Sequence, residues 1–156
     1  MKRTSVKSIV FSALIALGVG ALSGWLSRSG IDNFRFLNKP PLTPPAAVFP
    51  IVWSILYILM GVSAALIKGS RYERNTHAVF IYAAQLFVNF WWPVFFFLFE
   101  ARLFAFFWLL LLLALVILML IRFREIRPAA ALLNLPYLLW LLFAAYLNLG
   151  VYFLNR

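Results

Sequence analysis

Residues 39–61 read KPPLTPPAAVFPIVWSILYILMG, a stiff proline-rich entrance running straight into an apolar helix that carries aromatic rings. Pro40, Pro41, Pro44 and Pro45 lack an N–H and fix φ, so residues 38–46 are barred from helix and are expected to stand as an extended or turned lid. Pro50 fits a first helical turn, where a missing donor matters little. Beyond it, residues 51–67 carry no charge, which predicts a membrane helix over about residues 47–67. Within it Trp53, Tyr57, Met60 and Ala64 recur at i, i+4, i+7 and i+11 and so share one wedge of the helix. Such a wedge is either an interhelix packing seam or a pocket wall, and spacing alone does not choose.

Composition settles the solvent. Of 156 residues, 65% are hydrophobic, 19% aromatic and 12% charged, with mean hydropathy +0.97; soluble chains carry about 25% charged residues. The chain reads as an all-α integral membrane bundle, with room for about five helices of roughly 20 residues in a single domain. Cysteine is absent, which excludes disulfides and thiolate metal sites. The net charge of +10 lies in the connections, so lipid headgroups and membrane orientation account for it and no nucleic-acid partner is expected.

The first apolar run, residues 9–26, follows Lys2, Arg3 and Lys7, and Ala21-Leu22-Ser23 resembles a signal cleavage site. The run is longer than a usual signal core, and Ala16, Gly20 and Gly24 form a small-residue stripe suited to helix contact in lipid. We read it as a retained helix over about residues 6–27. Residues 28–46 form the longest connection, and Phe34, Phe36 and Leu37 within it argue for packing onto the bundle. A basic loop leads to Thr76 as cap of a third helix over about residues 76–99. Inside it Gln85, Asn89, Trp92 and Phe96 make a second stripe, and amides at membrane depth face the bundle interior. Pro93 cannot donate to the Asn89 carbonyl, which predicts a kink.

The fourth helix, about residues 103–121, is apolar all round, predicting a lipid-facing or dimer-forming element. A basic loop, residues 122–127, leads to Pro128 and a fifth helix over about residues 129–154, interrupted mid-way by Pro136. Tyr137, Trp140, Ala144 and Asn148 share its third stripe. Lys2, Arg3, Lys7, Lys68, Arg71, Arg74, Arg122, Arg124 and Arg127 fall on one side, against Arg28, Arg35, Lys39, Arg102 and Arg156 on the other. This bias predicts a cytoplasmic N-terminus and an external lid. Trp53 then lies roughly 10 Å below the outer end of its helix, Asn89 and Ala144 roughly 15 Å, and Trp140 roughly 20 Å, so the stripes converge beneath the lid.

Lys39-Pro40 with Pro44-Pro45, then Val52-Trp53, Leu56-Tyr57 and Met60-Gly61, form a first motif. Gln85-Leu86, Asn89, Trp92-Pro93 and Phe96-Phe97 form a second, and Pro136-Tyr137, Trp140, Phe143-Ala144 and Leu147-Asn148 a third. In this order they resemble the TspO/MBR family, the tryptophan-rich sensory proteins and the translocator protein, across essentially the whole chain. The resemblance implies five transmembrane helices, usually as a homodimer in a bacterial cell membrane, with a pocket closed by the first loop. It implies porphyrins and haem-related tetrapyrroles as ligands, sterols in eukaryotic members, and no required cofactor. It places Trp53, Asn89, Trp92, Trp140 and Ala144 in the pocket; the stripes add Tyr57 and Asn148, and the lid contributes Asn33, Phe34, Lys39 and Leu42. Asn33-Phe34 stands where relatives usually have a Trp-Tyr pair, and Leu42 where they have tryptophan. Leu149 and Phe153 break the sterol-recognition pattern, and a shifted match runs through Leu149, Tyr152 and Arg156.

Enzyme chemistry has little to work with. His77 is the one histidine, and Asp32, Glu73, Glu100 and Glu125 all lie in loops or at helix ends, with no triad, metal cluster or carboxylate pair. His77 also sits roughly 20 Å along its helix from Asn89. The expected function is tetrapyrrole binding with a sensing, transport or ligand-handling role. Light-dependent porphyrin breakdown is the alternative, because Trp53 and Trp140 match the tryptophans implicated in it; a third reading has the stripes merely packing helices.

Overall fold

The computed structural model describes residues 4–70 and 75–156. Lys2, Arg3, Arg71 and Arg74, used in the charge reading above, and Glu73, weighed there for enzyme chemistry, lie outside the described residues. Among the described residues seven α-helices follow one another: α1 (Val6–Leu26), α2 (Arg28–Phe34), α3 (Val48–Lys68), α4 (Asn75–Pro93), α5 (Arg102–Ile126), α6 (Pro128–Leu132) and α7 (Leu135–Leu154), with a π-helical turn, Val94–Leu98, extending α4. They make five spans long and apolar enough to cross a membrane, α4 counting with its π turn and α6 with α7. No strand occurs among the described residues. The protein is an integral membrane helix bundle. Around it, α1 packs on α3 and α4, α4 on α5, and α5 on α6 and α7, while α6 packs back on α3.

The α1–α3 seam is built from small residues because dispersion at close range is what holds helices together in lipid. Ala16 is fully buried. Gly61 lies against the Ala13 backbone, and Gly20 lies under the Tyr57 ring, so neither place leaves room for a Cβ. A Cβ on Gly24, expected in the same stripe, would meet nothing within 4 Å; the seam ends one turn earlier.

Proline sets the breaks. Pro93 ends the regular ladder of α4, and the chain continues in π register, with the Phe99 amide donating to the Val94 carbonyl at 2.9 Å. This is the usual way a helix absorbs an inserted residue. Glu100, at φ 53°, then reverses the chain into α5. Thr76 lies inside α4, which already starts at Asn75. The fifth span is interrupted at Leu133 and Asn134, not at Pro136, because Pro136 occupies the first turn of α7, where its missing donor has no ladder partner to lose.

Two further expectations are corrected. The basic stretch 122–127 is mostly the last turn of α5, closed by an Arg122–Glu125 ion pair of 3.3 Å. Nor is α5 without a face: Ala105, Leu109, Leu112, Val116, Met119 and Phe123 are buried along one stripe. Trp108 beside that stripe donates to the Val88 carbonyl at 2.8 Å, pinning α5 to α4.

The connection expected to be lid throughout, residues 28–46, begins with helix α2. Gly30 lets α2 lie against the Phe97 carbonyl, and Phe34 packs on the rings of Phe96 and Phe97 at 5.8 and 5.3 Å. The proline-rich remainder crosses to α7 and turns into α3.

Candidate functional site

The three stripes meet in the bundle, but they divide into three settings. At the centre, α3, α4 and α7 contribute a closed polar network. The Asn89 amide donates to the Tyr137 hydroxyl at 2.8 Å, and that hydroxyl donates to Gln85 Oε1 at 2.9 Å. Tyr57 adds a longer bond, 3.4 Å, to Asn89 Oδ1, and Gln85 Nε2 stands 3.8 Å from Met60 Sδ. All five side chains are buried. Amides and phenols that satisfy one another are what a low-dielectric interior requires. Trp53 covers the network, tilted against Tyr57 at 5.6 Å and edge-on to Tyr137 at 6.2 Å.

Nearer the lid, the Trp92 indole donates to Asn148 Oδ1 at 3.2 Å, and the Asn148 amide donates to the Arg102 carbonyl at 2.8 Å. Trp92 stacks on Phe96 at 5.2 Å with 16° between planes, joining this pair to Phe34. Ala144 is buried among the core side chains.

Trp140 departs from its stripe partners. It faces a cleft between α3 and α7 of about 400 Å³, lined by Val52, Ile55, Leu56, Pro136, Leu139, Trp140 and Phe143. It meets Phe49 edge-on at 5.9 Å and Phe143 at 5.6 Å. Of the indoles, Trp92 and Trp108 have committed their N–H groups, whereas those of Trp53 and Trp140 donate to nothing among the described residues.

The lid is tied to α7. Asn38 and Asn155 exchange two hydrogen bonds, of 2.9 and 2.8 Å, and the Tyr146 hydroxyl donates to the Pro41 carbonyl at 2.8 Å. Pro40 is buried on Gly150. Lys39 donates to the Arg35 and Leu37 carbonyls at 3.0 and 3.1 Å and lies 5.1 Å from the centre of the Phe34 ring. Asn33 is exposed on α2, and Leu42, at φ 69°, is 82% exposed at the crest of the lid. His77 is exposed near the start of α4, and no group of three or more His, Asp or Glu stands together among the described residues.

Tyr137 and Gln85 belong with the site although sequence reasoning left them on the stripes; their signal was a polar residue in register with Asn89 or Trp140. The Asn38–Asn155 clasp joins residues 117 apart and has no sequence signal.

The TspO/MBR family model matches residues 11–154. The chain is 36% identical to the tryptophan-rich protein TspO of Chlorobaculum tepidum, covering 90% of this chain and 91% of the relative. It is 35% identical to the translocator protein of Ovis aries, over 80% and 75% of the two chains. It is 32% identical to the tryptophan-rich sensory protein of Cereibacter sphaeroides, over 95% and 92%. Similarity of this extent, along a chain whose motifs fall on three helices facing one interior, leaves one assignment: the chain belongs to the TspO/MBR family.

Proposed function

We propose that the protein binds a planar tetrapyrrole of porphyrin or haem type in the α3–α7 cleft at Trp140, with Trp53, which the family motif assigns to the same pocket, as a second ring, in a sensing, transport or ligand-handling role. The observation that carries this reading is the apolar α3–α7 cleft of about 400 Å³, within the roughly 300–1,000 Å³ of small-molecule sites. Its aliphatic lining with Trp140 and Phe143 at one side suits a flat apolar ligand, the two rings offering offset and edge contacts. The uncommitted indole N–H of Trp140 in that lining supplies a donor for a carboxylate or ring nitrogen on the ligand, which an all-aliphatic groove would lack. A homodimer and a cytoplasmic N-terminus belong to the same reading.

The test is a quenching titration with protoporphyrin in detergent. Replacing Trp53 or Trp140 by Phe is expected to weaken binding by about 1–2 kcal/mol, since ring area is mostly kept while the N–H is lost. Unchanged affinity with a lowered melting temperature would assign both indoles to packing. The second reading, light-dependent porphyrin breakdown, draws on the same two indoles. It requires that illuminated bound porphyrin yield a defined product, and that Trp53→Phe with Trp140→Phe abolish it while His77→Ala does not. Bleaching no different from that in empty micelles leaves binding alone.

A further inference from the structure

We infer that the ligand reaches this site sideways, from the hydrocarbon of the bilayer through the gap between α3 and α7, and not from water past the lid; the inference rests on the binding reading above. The gap has a structural cause. The α6 segment is pinned to α3, with Ser63 donating to the Ala130 carbonyl at 2.9 Å and Asn134 donating to Ser63 Oγ at 2.6 Å. The chain then breaks at Leu133 and Asn134, and α7 starts anew. Beyond the break α7 meets α3 in two ring contacts, Tyr137 on Trp53 and Trp140 on Phe49, without the close backbone packing that α3 makes with α1 and α6.

The floor of the gap is Leu56, 2% exposed, while Ile55 and Leu139 on its two sides are 53% and 66% exposed. Both stand within membrane-crossing helices, so the opening they frame gives onto lipid. Trp140, held between Phe49 and Phe143, stands beside the opening. A tetrapyrrole dissolved among acyl chains would meet an apolar lining there and give up little solvation on entry. The aqueous route is fastened: it requires the Asn38–Asn155 exchange, the Tyr146–Pro41 bond and the Pro40–Gly150 contact to open together.

The experiment uses vesicles loaded with protoporphyrin in the bilayer and follows tryptophan quenching after the full-length protein is introduced by vesicle fusion. Narrowing the opening with Ile55→Phe and Leu139→Phe should slow association and dissociation together, by about fivefold or more; because both side chains also line the cleft, equilibrium affinity is titrated alongside, and a change in affinity that accounts for the altered rates overturns lateral entry. Widening it with Ile55→Ala and Leu139→Ala should speed both; these side chains contact lipid, so the bundle keeps its fold, which circular dichroism checks. Bridging the lid in Asn38→Cys, Asn155→Cys with a short bis-maleimide, in a chain without native cysteine, should leave the rates within about twofold. Rates that collapse on bridging the lid, or that ignore both opening variants, overturn lateral entry while binding stands. No saturable quenching in the unaltered protein overturns the binding reading itself.

Discussion

The Tyr137 hydroxyl accepts from one buried amide and donates to another, so a single oxygen satisfies parts of two helices. Tyr137→Phe leaves Asn89 short of an acceptor and Gln85 short of a donor. It should lower stability by about 1–2 kcal/mol, the cost of unpaired buried polar groups tempered by the weak preference for interhelical hydrogen bonds in lipid. Tyr57→Phe removes only the 3.4 Å bond and should cost clearly less; denaturation in mixed micelles ranks the two. Equal losses would mean that the amides pair with each other once the phenol is gone. Asn89 was legible from sequence because an amide in an apolar run must face a partner, and the helical period pointed at it. Which phenol would receive it was not legible, since Tyr57 and Tyr137 carry the same signal. Leu42 was named as a lid residue by its place in the motif, but its left-handed backbone turns the side chain outward, and no local pattern announces that turn.

Among the elements, the α1–α3 pair makes the sharpest comparison. A Cβ on Gly61 would press into the Ala13 backbone, whereas one on Gly18 or Gly24 meets nothing within 4 Å. Gly61→Ala should therefore part the seam and cost about 1–3 kcal/mol, as overpacking does. Gly18→Ala and Gly24→Ala should be neutral or gain up to about 1 kcal/mol from helix propensity. Thermal unfolding of the three variants checks the order, and a tolerated Gly61→Ala would show that α1 can slide along α3. The number of spans was legible because the bilayer demands long apolar runs and the prolines and charges punctuate them. The seam of α5 was not. Lipid and protein interior select the same Leu, Val and Phe, so a helix packed on one side and lipid-exposed on the other shows no periodicity. The break before α7 was placed two to three residues late for a related reason: Pro136 marks a helix start as readily as an interruption, and what separates the two is Asn134 bonding to Ser63 on α3.

At the scale of the whole molecule, the cations gather at the two ends of the bundle. At the lid end Arg28 lies over the Trp25 ring at 5.0 Å, Lys39 over Phe34 at 5.1 Å and Arg156 over Phe153 at 5.0 Å. Arg35 pairs with Asp32 and Arg102 with Glu100. Aromatic rings beside charges fit the water–hydrocarbon boundary, but such belts form at both faces of a membrane and do not orient it. Orientation rests on the Lys and Arg of the whole sequence, nine at the opposite end against five at the lid; the described residues hold five at each end, and the excess is Lys2, Arg3, Arg71 and Arg74, which lie outside them. A cysteine at exposed Asn33 on α2 is the label of choice, because the chain has no other thiol and the side chain stands open to solvent. In intact cells Asn33→Cys should react with an impermeant maleimide, while Arg127→Cys should react only after lysis. The reverse pattern would place the lid in the cytoplasm, and the positive charge at the far end would then have lost the contest with the insertion of the first span. Lateral entry would survive that reversal, because the α3–α7 gap opens to lipid in either orientation; what would change is the leaflet from which the ligand is drawn.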